Sequence, residues 1–347
     1  MTVQQSSDRI LIRSGTDAPD PMVGLPHDAR TGLAAPPRRL PPKYFYDARG
    51  SALFEEITRL PEYYQTRTER RILERVADAL VREVEPRALV EFGSGSALKT
   101  RVLLDAMRAH GLLEAYGAVE VSESALVEAA QGLAERYPSL ELEGVLADFE
   151  RPVALPFRDR PRLILFLGST IGNLERDEAV GFLSRVRAQM TPADGFLIGF
   201  DLVKDTARLE AAYNDARGVT ARFNLNVLRV LNRELDGDFR LDDFEHVAVY
   251  DEEKARIEMY LVAKRPVSAR LASIALDVRL EEGERIRTEL SHKYTADSAR
   301  ALVSAAGLEL VRWDTDPGPD FALGLARRAA SSPAVRWPGI GGEPAAR

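Results

Sequence analysis

Short apolar runs alternate with helical rhythm through the middle of the chain. The runs cover 88–91, 115–121, 140–147, 163–167 and 196–201, and helical patterns separate most of them. Each run ends in glycine or an acid: Glu91-Phe92-Gly93, Glu120-Val121-Ser122, Asp148-Phe149, Gly168-Ser169-Thr170-Ile171-Gly172-Asn173 and Asp201. Repeated strand–helix order predicts an α/β domain with a mostly parallel, doubly wound sheet and right-handed crossovers. Upstream, Leu53, Phe54, Ile57 and Leu60 recur at helical spacing before Pro61, and Leu73, Val76, Ala77 and Leu80 give a second helix an inward face. The three aromatics Tyr44-Phe45-Tyr46 follow a run of prolines and read as a docked core segment or a ligand wall.

After Lys204 the rhythm changes. Two helices are expected over 206–234, with Val219, Phe223, Val227 and Val230 as a stripe on the second. Alternating strands follow at 245–250, 256–262, 272–280 and 286–292, which reads as an inserted second domain. A helix at 296–306 and strands at 308–313 and 321–326 return to the main sheet. Residues 1–25 read as a loose arm and 329–347 as a floppy tail.

The first run, its turn and the next helix (ALVEFGSGSALKTR, from Ala88) form the opening unit of such a sheet. Gly93 and Gly95 lack Cβ atoms, so a nucleoside can lie against the backbone there. A dinucleotide fingerprint requires a third small residue, and that place holds Leu98. Glu120 is placed to accept from two ribose hydroxyls and Asp148 to meet an adenine amino group. Together they favour an adenosine ligand without a diphosphate, and S-adenosylmethionine (SAM) fits best. The turn from Gly168 to Gly172 carries Thr170 where the G-x-S-x-G nucleophile elbow requires serine, so a serine hydrolase is disfavoured.

Composition narrows the classes further. With no cysteine, disulfides, thiolate metal sites and a cysteine nucleophile are excluded, and four scattered histidines argue against a metal centre. A net charge of −7 without a basic block argues against nucleic acid. No apolar run approaches a membrane span or a signal peptide, so a cytoplasmic location is expected.

Longer strings carry a more specific signal. PPKYFYDARGSALFEEIT, LPEYYQTRTE, EFGSGSALKT, VSESAL, FLGSTIGNL, AYNDARGVTARFN, RIEMYL and RTELSHKY resemble the histidine-specific Nα-methyltransferases of ergothioneine biosynthesis, over about residues 28–327. The resemblance implies a Rossmann-like SAM methyltransferase sheet with a second, α+β substrate-binding domain. Its expected boundaries are 26–67 plus 204–293 for the substrate domain and 68–203 plus 294–328 for the SAM domain. It implies trimethylation of the α-amino group of L-histidine to hercynine, with S-adenosylhomocysteine as the other product. No metal and no membrane or nucleic-acid partner are expected, and a monomer is. Two alternatives stay open: another amino acid as substrate, such as tryptophan or tyrosine, or a SAM-binding module without turnover.

Carried over by residue, Gly93, Lys99, Glu120, Asp148 and Phe149 would hold SAM; the family usually has aspartate where Glu120 stands. Tyr63, Asn173 and Tyr213 would bind the carboxylate and amino end. Glu289 and Ser291 would bind the imidazole, with Leu290 between them and Met259 lining the pocket. Tyr46 and Gly168 would lie near the reacting amine, with Tyr46 and Asn173 orienting it. On a strand, Glu289 and Ser291 share a face and Leu290 takes the other.

Overall fold

The structure is a computed structural model that describes residues 10–15, 21–93 and 99–329. Its strands, in chain order, are β1 (Ile10–Ser14), β2 (Arg38–Arg39), β3 (Ala88–Phe92), β4 (Ala115–Glu120), β5 (Glu141–Leu146), β6 (Arg162–Phe166) and β7 (Gly195–Asp201). There follow β8 (Phe244–Asp251), β9 (Arg256–Ala263), β10 (Val267–Leu271), β11 (Leu276–Leu280), β12 (Arg285–His292), β13 (Leu308–Thr315) and β14 (Phe321–Arg328).

The main sheet has the order β1-β5-β4-β3-β6-β7-β14-β13. Pairing is parallel from β1 to β7 and antiparallel at β14 and β13. Every residue of β3, β6 and β7 is buried, as expected for strands covered on both faces. The helices Gln65–Val84, Thr100–Ala109 and Glu123–Arg136 cover one face, and Arg176–Gln189 and Ala296–Ala305 cover the other. Because β3 pairs with β4 on one side and β6 on the other, the winding reverses there. That switch point opens a crevice at the strands' carboxyl ends, where such sheets bind ligands.

A second sheet, β2-β12-β9-β8, lies with the hairpin β10–β11. Its core joins Leu25, Tyr44, Phe45, Leu53 and Leu60 from the N-terminal segment to Phe223, Val227, Met259 and Ile286 from late in the chain. The expected stripe Val219, Phe223, Val227 and Val230 is buried along the helix Val219–Glu234. The helix Ala48–Ile57 packs against it, and Asp47 caps that helix by accepting from the Gly50 N–H at 2.8 Å. A Cβ at Gly50 would sit 1.6 Å from the Phe45 carbonyl oxygen, so only glycine fits.

Three expectations change. The N-terminal arm contains an edge strand, β1, which pairs with β5. The strand expected over 272–280 is a tight turn, Ala272–Ile274, followed by β11, with β10 as its unforeseen partner. β12 carries a bulge between Arg287 and Glu289, which takes Thr288 out of the ladder register and lets its hydroxyl donate to the Met259 carbonyl oxygen at 3.2 Å. Among the described residues no helix is long and apolar enough to cross a membrane.

Candidate active site

The cofactor-side residues cluster around the switch point. Gly93 follows β3 with φ +70°, and a Cβ there would meet nothing within 4 Å, so the backbone faces open space. The rest of that turn, residues 94–98 with Gly95 and Leu98, lies outside the described residues. Lys99 directly precedes the helix Thr100–Ala109 and its Nζ pairs with Glu69. Glu69 is fully buried on the helix Gln65–Val84, and its other oxygen accepts the Gly168 N–H at 2.7 Å. One carboxylate therefore ties the turn after β3 to the turn after β6. A Cβ at position 199 would come within 2.3 Å of Glu69, so glycine in β7 makes the room it occupies.

Glu120 closes β4, and its Oε1 accepts the N–H groups of Val121 at 2.8 Å and Ser122 at 3.3 Å. Asp148 lies just past β5, the neighbouring strand. It accepts from the Glu150 N–H at 2.9 Å and from Lys43 Nζ at 3.0 Å. Lys43 belongs to the N-terminal segment, so that pair crosses from one sheet's territory to the other's. Phe149 joins Phe92, Phe166 and Phe182 in a ring cluster, with its nearest centroid 5.3 Å away. Glu91 is buried on the opposite face of the sheet; it accepts from Thr100 at 2.6 Å and Tyr116 at 2.9 Å, and burial pushes its carboxyl up to about 7.

On the other side, Tyr46 ends the turn Pro42–Phe45 and packs edge-on against Phe54 and Phe223, both at 5.6 Å. Tyr63 continues this aromatic wall through Phe54. Burial raises the Tyr46 hydroxyl pKa, and the charges of Glu289 and Glu120 raise it further. Burial likewise raises Tyr63, helped by Tyr213, Tyr46 and Glu289. Tyr46 thus feels one acid from each sheet.

Glu289 and Met259 are direct cross-strand partners on β12 and β9. Met259 is buried. Among the described residues the Glu289 carboxylate accepts no hydrogen bond; burial pushes it up to about 7, opposed by the Lys293 ammonium. Leu290 is buried and pairs with Glu258. Ser291 is buried and accepts from the Tyr213 hydroxyl at 2.9 Å and Lys293 Nζ at 2.8 Å. Asn173 ends the turn Thr170–Asn173, half-buried. That turn lies against β12: a Cβ on Gly172 would be 2.8 Å from the His292 carbonyl oxygen.

Asp201, the last residue of β7, joins the two sheets. It is fully buried and pairs with Lys293 at 2.8 Å and Lys204 at 2.5 Å. It also accepts from the Tyr64 hydroxyl at 2.8 Å, while its own N–H donates to Ser169 Oγ at 2.9 Å. Burial alone would raise its pKa; the two ammonium groups overcome that and lower it. Tyr294 extends the junction, donating its N–H to the Asp201 carbonyl.

The structure places Gly93, Glu120, Asp148, Phe149 and Gly168 just at or past the carboxyl ends of β3, β4, β5 and β6, sets Met259 opposite Glu289 and Tyr213 against Ser291, and leaves Leu290 paired with Glu258 and Asn173 at the end of the turn after β6. Sequence reasoning misses Glu69, Lys43, Asp201 and Lys293. Asp201 has a signal, since it ends an expected strand as Glu120 does. Lys293 has one too, two residues past Ser291. By contrast, a surface cavity of about 340 Å³ lined by Val84, Arg87, Pro161 and Arg327 sits at the strands' amino ends, away from this chemistry.

A family model described as histidine-specific, SAM-dependent methyltransferase matches residues 25–328. A histidine N-alpha-methyltransferase of Mycolicibacterium smegmatis is 48% identical over 88% of this chain and 95% of its own. One of Mycobacterium tuberculosis is 44% identical over 88% of this chain and 95% of its own. The Neurospora crassa protein called ergothioneine biosynthesis protein 1 is 33% identical over 85% of this chain and 34% of its own.

Proposed function

Since the chain belongs to the SAM-dependent, histidine-specific methyltransferase family, we propose that it methylates the α-amino nitrogen of L-histidine three times, giving hercynine for ergothioneine synthesis. The observation that carries this reading is the position of Tyr46, within the field of both Glu289 and Glu120. A methyl donor held by Glu120 and an amino acid held by Glu289 would meet beside it. We take residues 26–67 plus 204–293 as the substrate-binding domain and 68–203 plus 294–328 as the SAM domain, acting as a cytoplasmic monomer.

The strand ends fit an adenosine ligand. Gly93 leaves its approach open, Glu120 and Asp148 close neighbouring strands, and Phe149 offers a ring. Lys99 holds its turn through Glu69. SAM, when bound, supplies an electrophilic methyl on a sulfonium. What the chain must do is hold a neutral amine in line and close to it. Tyr46 and Asn173 orient the amine beside Gly168, while Tyr63, Asn173 and Tyr213 surround the amino-acid end. Glu289 accepts a ring N–H and Ser291 meets the other ring nitrogen, with Met259 beneath. Leu290 faces away and packs. The Tyr46, Tyr63 and Phe54 rings suit a nitrogen that becomes a fixed cation.

Incubation of the pure protein with histidine and SAM, followed by mass spectrometry, should give mono-, di- and trimethylhistidine. Absence of any methylated histidine sinks the proposal. Tryptophan and tyrosine in the same assay test the neighbouring substrate choices.

A further inference from the structure

The helix Gln65–Val84 buries an apolar face from Ile72 onward, but its first two turns bury Gln65, Thr68 and Glu69. A charge taken out of water costs free energy unless it is paired and hydrogen-bonded, and a buried ion pair is weak evidence for stability. Glu69 is completely buried and bonded at both oxygens: Oε2 takes the Lys99 ammonium, and Oε1 accepts the Gly168 N–H at 2.7 Å. Each of those two turns also has a tie of its own. Thr100, next to Lys99, donates to Glu91 at 2.6 Å, and Ser169, next to Gly168, accepts the Asp201 N–H at 2.9 Å. Glu91 and Asp201 each hold one turn; Glu69 reaches both. The turn after β6 requires such holding. Gly168 and Ser169 are successive left-handed residues, at φ +76° and +57°, a conformation that serine adopts only where its surroundings impose it.

We infer that Glu69 is a positioning residue that fixes the methyl donor's turn against the amine's turn, so that its loss slows methyl transfer more than it weakens the binding of either ligand. This role rests on the reading of Lys99 as a cofactor contact and of Gly168 as a neighbour of the reacting amine. Transfer requires the nitrogen in line with the methyl carbon at about 3–3.5 Å, and a misplacement of about 1 Å costs about 100-fold. Donor and acceptor stand on different units here, one after β3 and one after β6. The two oxygens of one carboxylate keep a fixed separation, so a side chain bonded to both units through them sets the distance between them. Glu69→Gln keeps an oxygen for the Gly168 N–H but turns an amide N–H toward the Lys99 ammonium, donor against donor. Gly199 offers a second approach. A methyl group there would overlap Glu69 Oε1, so Gly199→Ala displaces the same carboxylate without changing any charge.

Rapid-quench single-turnover kinetics separate alignment from binding. With SAM and histidine saturating, Glu69→Gln should form monomethylhistidine about 10–100-fold more slowly than wild type. Its affinities for S-adenosylhomocysteine and for histidine, measured by calorimetry, should fall by no more than about threefold. Gly199→Ala should slow the same step by about tenfold. An unchanged single-turnover rate in folded Glu69→Gln, or a loss confined to affinity, overturns the assignment; folding is judged by S-adenosylhomocysteine binding. If Glu69→Gln does not fold, Gly199→Ala decides by the same measure. If neither folds, Glu69 is a structural element and the positioning role falls. A wild-type protein that transfers no methyl group to histidine fails the functional reading first, and the role of Glu69 falls with it.

Discussion

On the cofactor side Gly93, Glu120, Asp148 and Gly168 each lie within two residues of a strand's end. On the substrate side Tyr46, Tyr213, Glu289 and Lys293 come from an N-terminal turn, a loop between helices and a late strand, with no repeating offset between them. The first region is assembled in series by one topological rule. The second follows no such rule: its members are placed by separate contacts, such as that of Tyr213 with Ser291, 78 residues apart, around one buried carboxylate. A site built in series keeps its parts when one is removed. A site built around a buried hub, here Asp201, does not.

The strongest way to break that contrast is to remove the hub. Asp201→Ala strands the Lys293 and Lys204 ammonium groups in the interior and should cost about 3–5 kcal/mol in urea denaturation. Glu120→Ala, which loses two hydrogen bonds within its own turn, should cost about 1 kcal/mol. Equal losses would mean that the two regions are not built differently. Next in size, Glu289→Ala should lower kcat/KM for histidine by about 10–100-fold with S-adenosylhomocysteine affinity unchanged, since a charged hydrogen-bond partner contributes about 1.5–3 kcal/mol. Adding Met259→Val opens the cross-strand neighbour and should admit bulkier side chains; an unchanged ranking of amino acids would remove both residues from the pocket. Smaller still, Glu120→Ala should raise KM for SAM by about tenfold and leave that ranking intact.

Legibility follows the same division. The inner strands β3, β4, β6 and β7 can be read because each is a mostly apolar run closed by a glycine or an acid, a signal contained in a few residues. The edge strand β1 cannot, since its apolar run stops after Ile10-Leu11-Ile12 and its partner β5 is far along the chain. The turn before β11 reads as part of one strand over 272–280, because Ala272, Ser273 and Ile274 carry no glycine or proline to mark it, and β10 goes unread. The bulge at Thr288 leaves no mark in the apolar pattern either. In the site, Glu289 and Ser291 are legible through their family string. Lys293 in that same string is not, because its role comes from Asp201, 92 residues earlier, and only folding brings the two within 2.8 Å. Glu69 and Lys43 escape notice for the same reason: each anchors a turn to which it has no sequence relation.

The mildest effect is also the one that probes Glu289 where it stands. Burial pushes its carboxyl up from the ordinary range to about 7. Only the ionised form accepts a ring N–H without offering a hydrogen in return. Affinity for histidine should therefore rise severalfold between pH 6 and pH 8, and KM should fall correspondingly. Glu289→Gln tests this: an amide keeps an acceptor oxygen but cannot ionise, so the limb near 7 should disappear. Stability carries the same signature with the opposite sign. A carboxyl whose folded pKa is raised favours the fold when protonated, so its contribution is full below about 4.5 and is lost as the pH rises through about 7. Relative to wild type, Glu289→Gln should then gain stability at pH 8 and gain none at pH 4. A wild-type KM profile flat from pH 7 to 8, or one that Glu289→Gln leaves untouched, would place the acid that reads the ring somewhere other than β12.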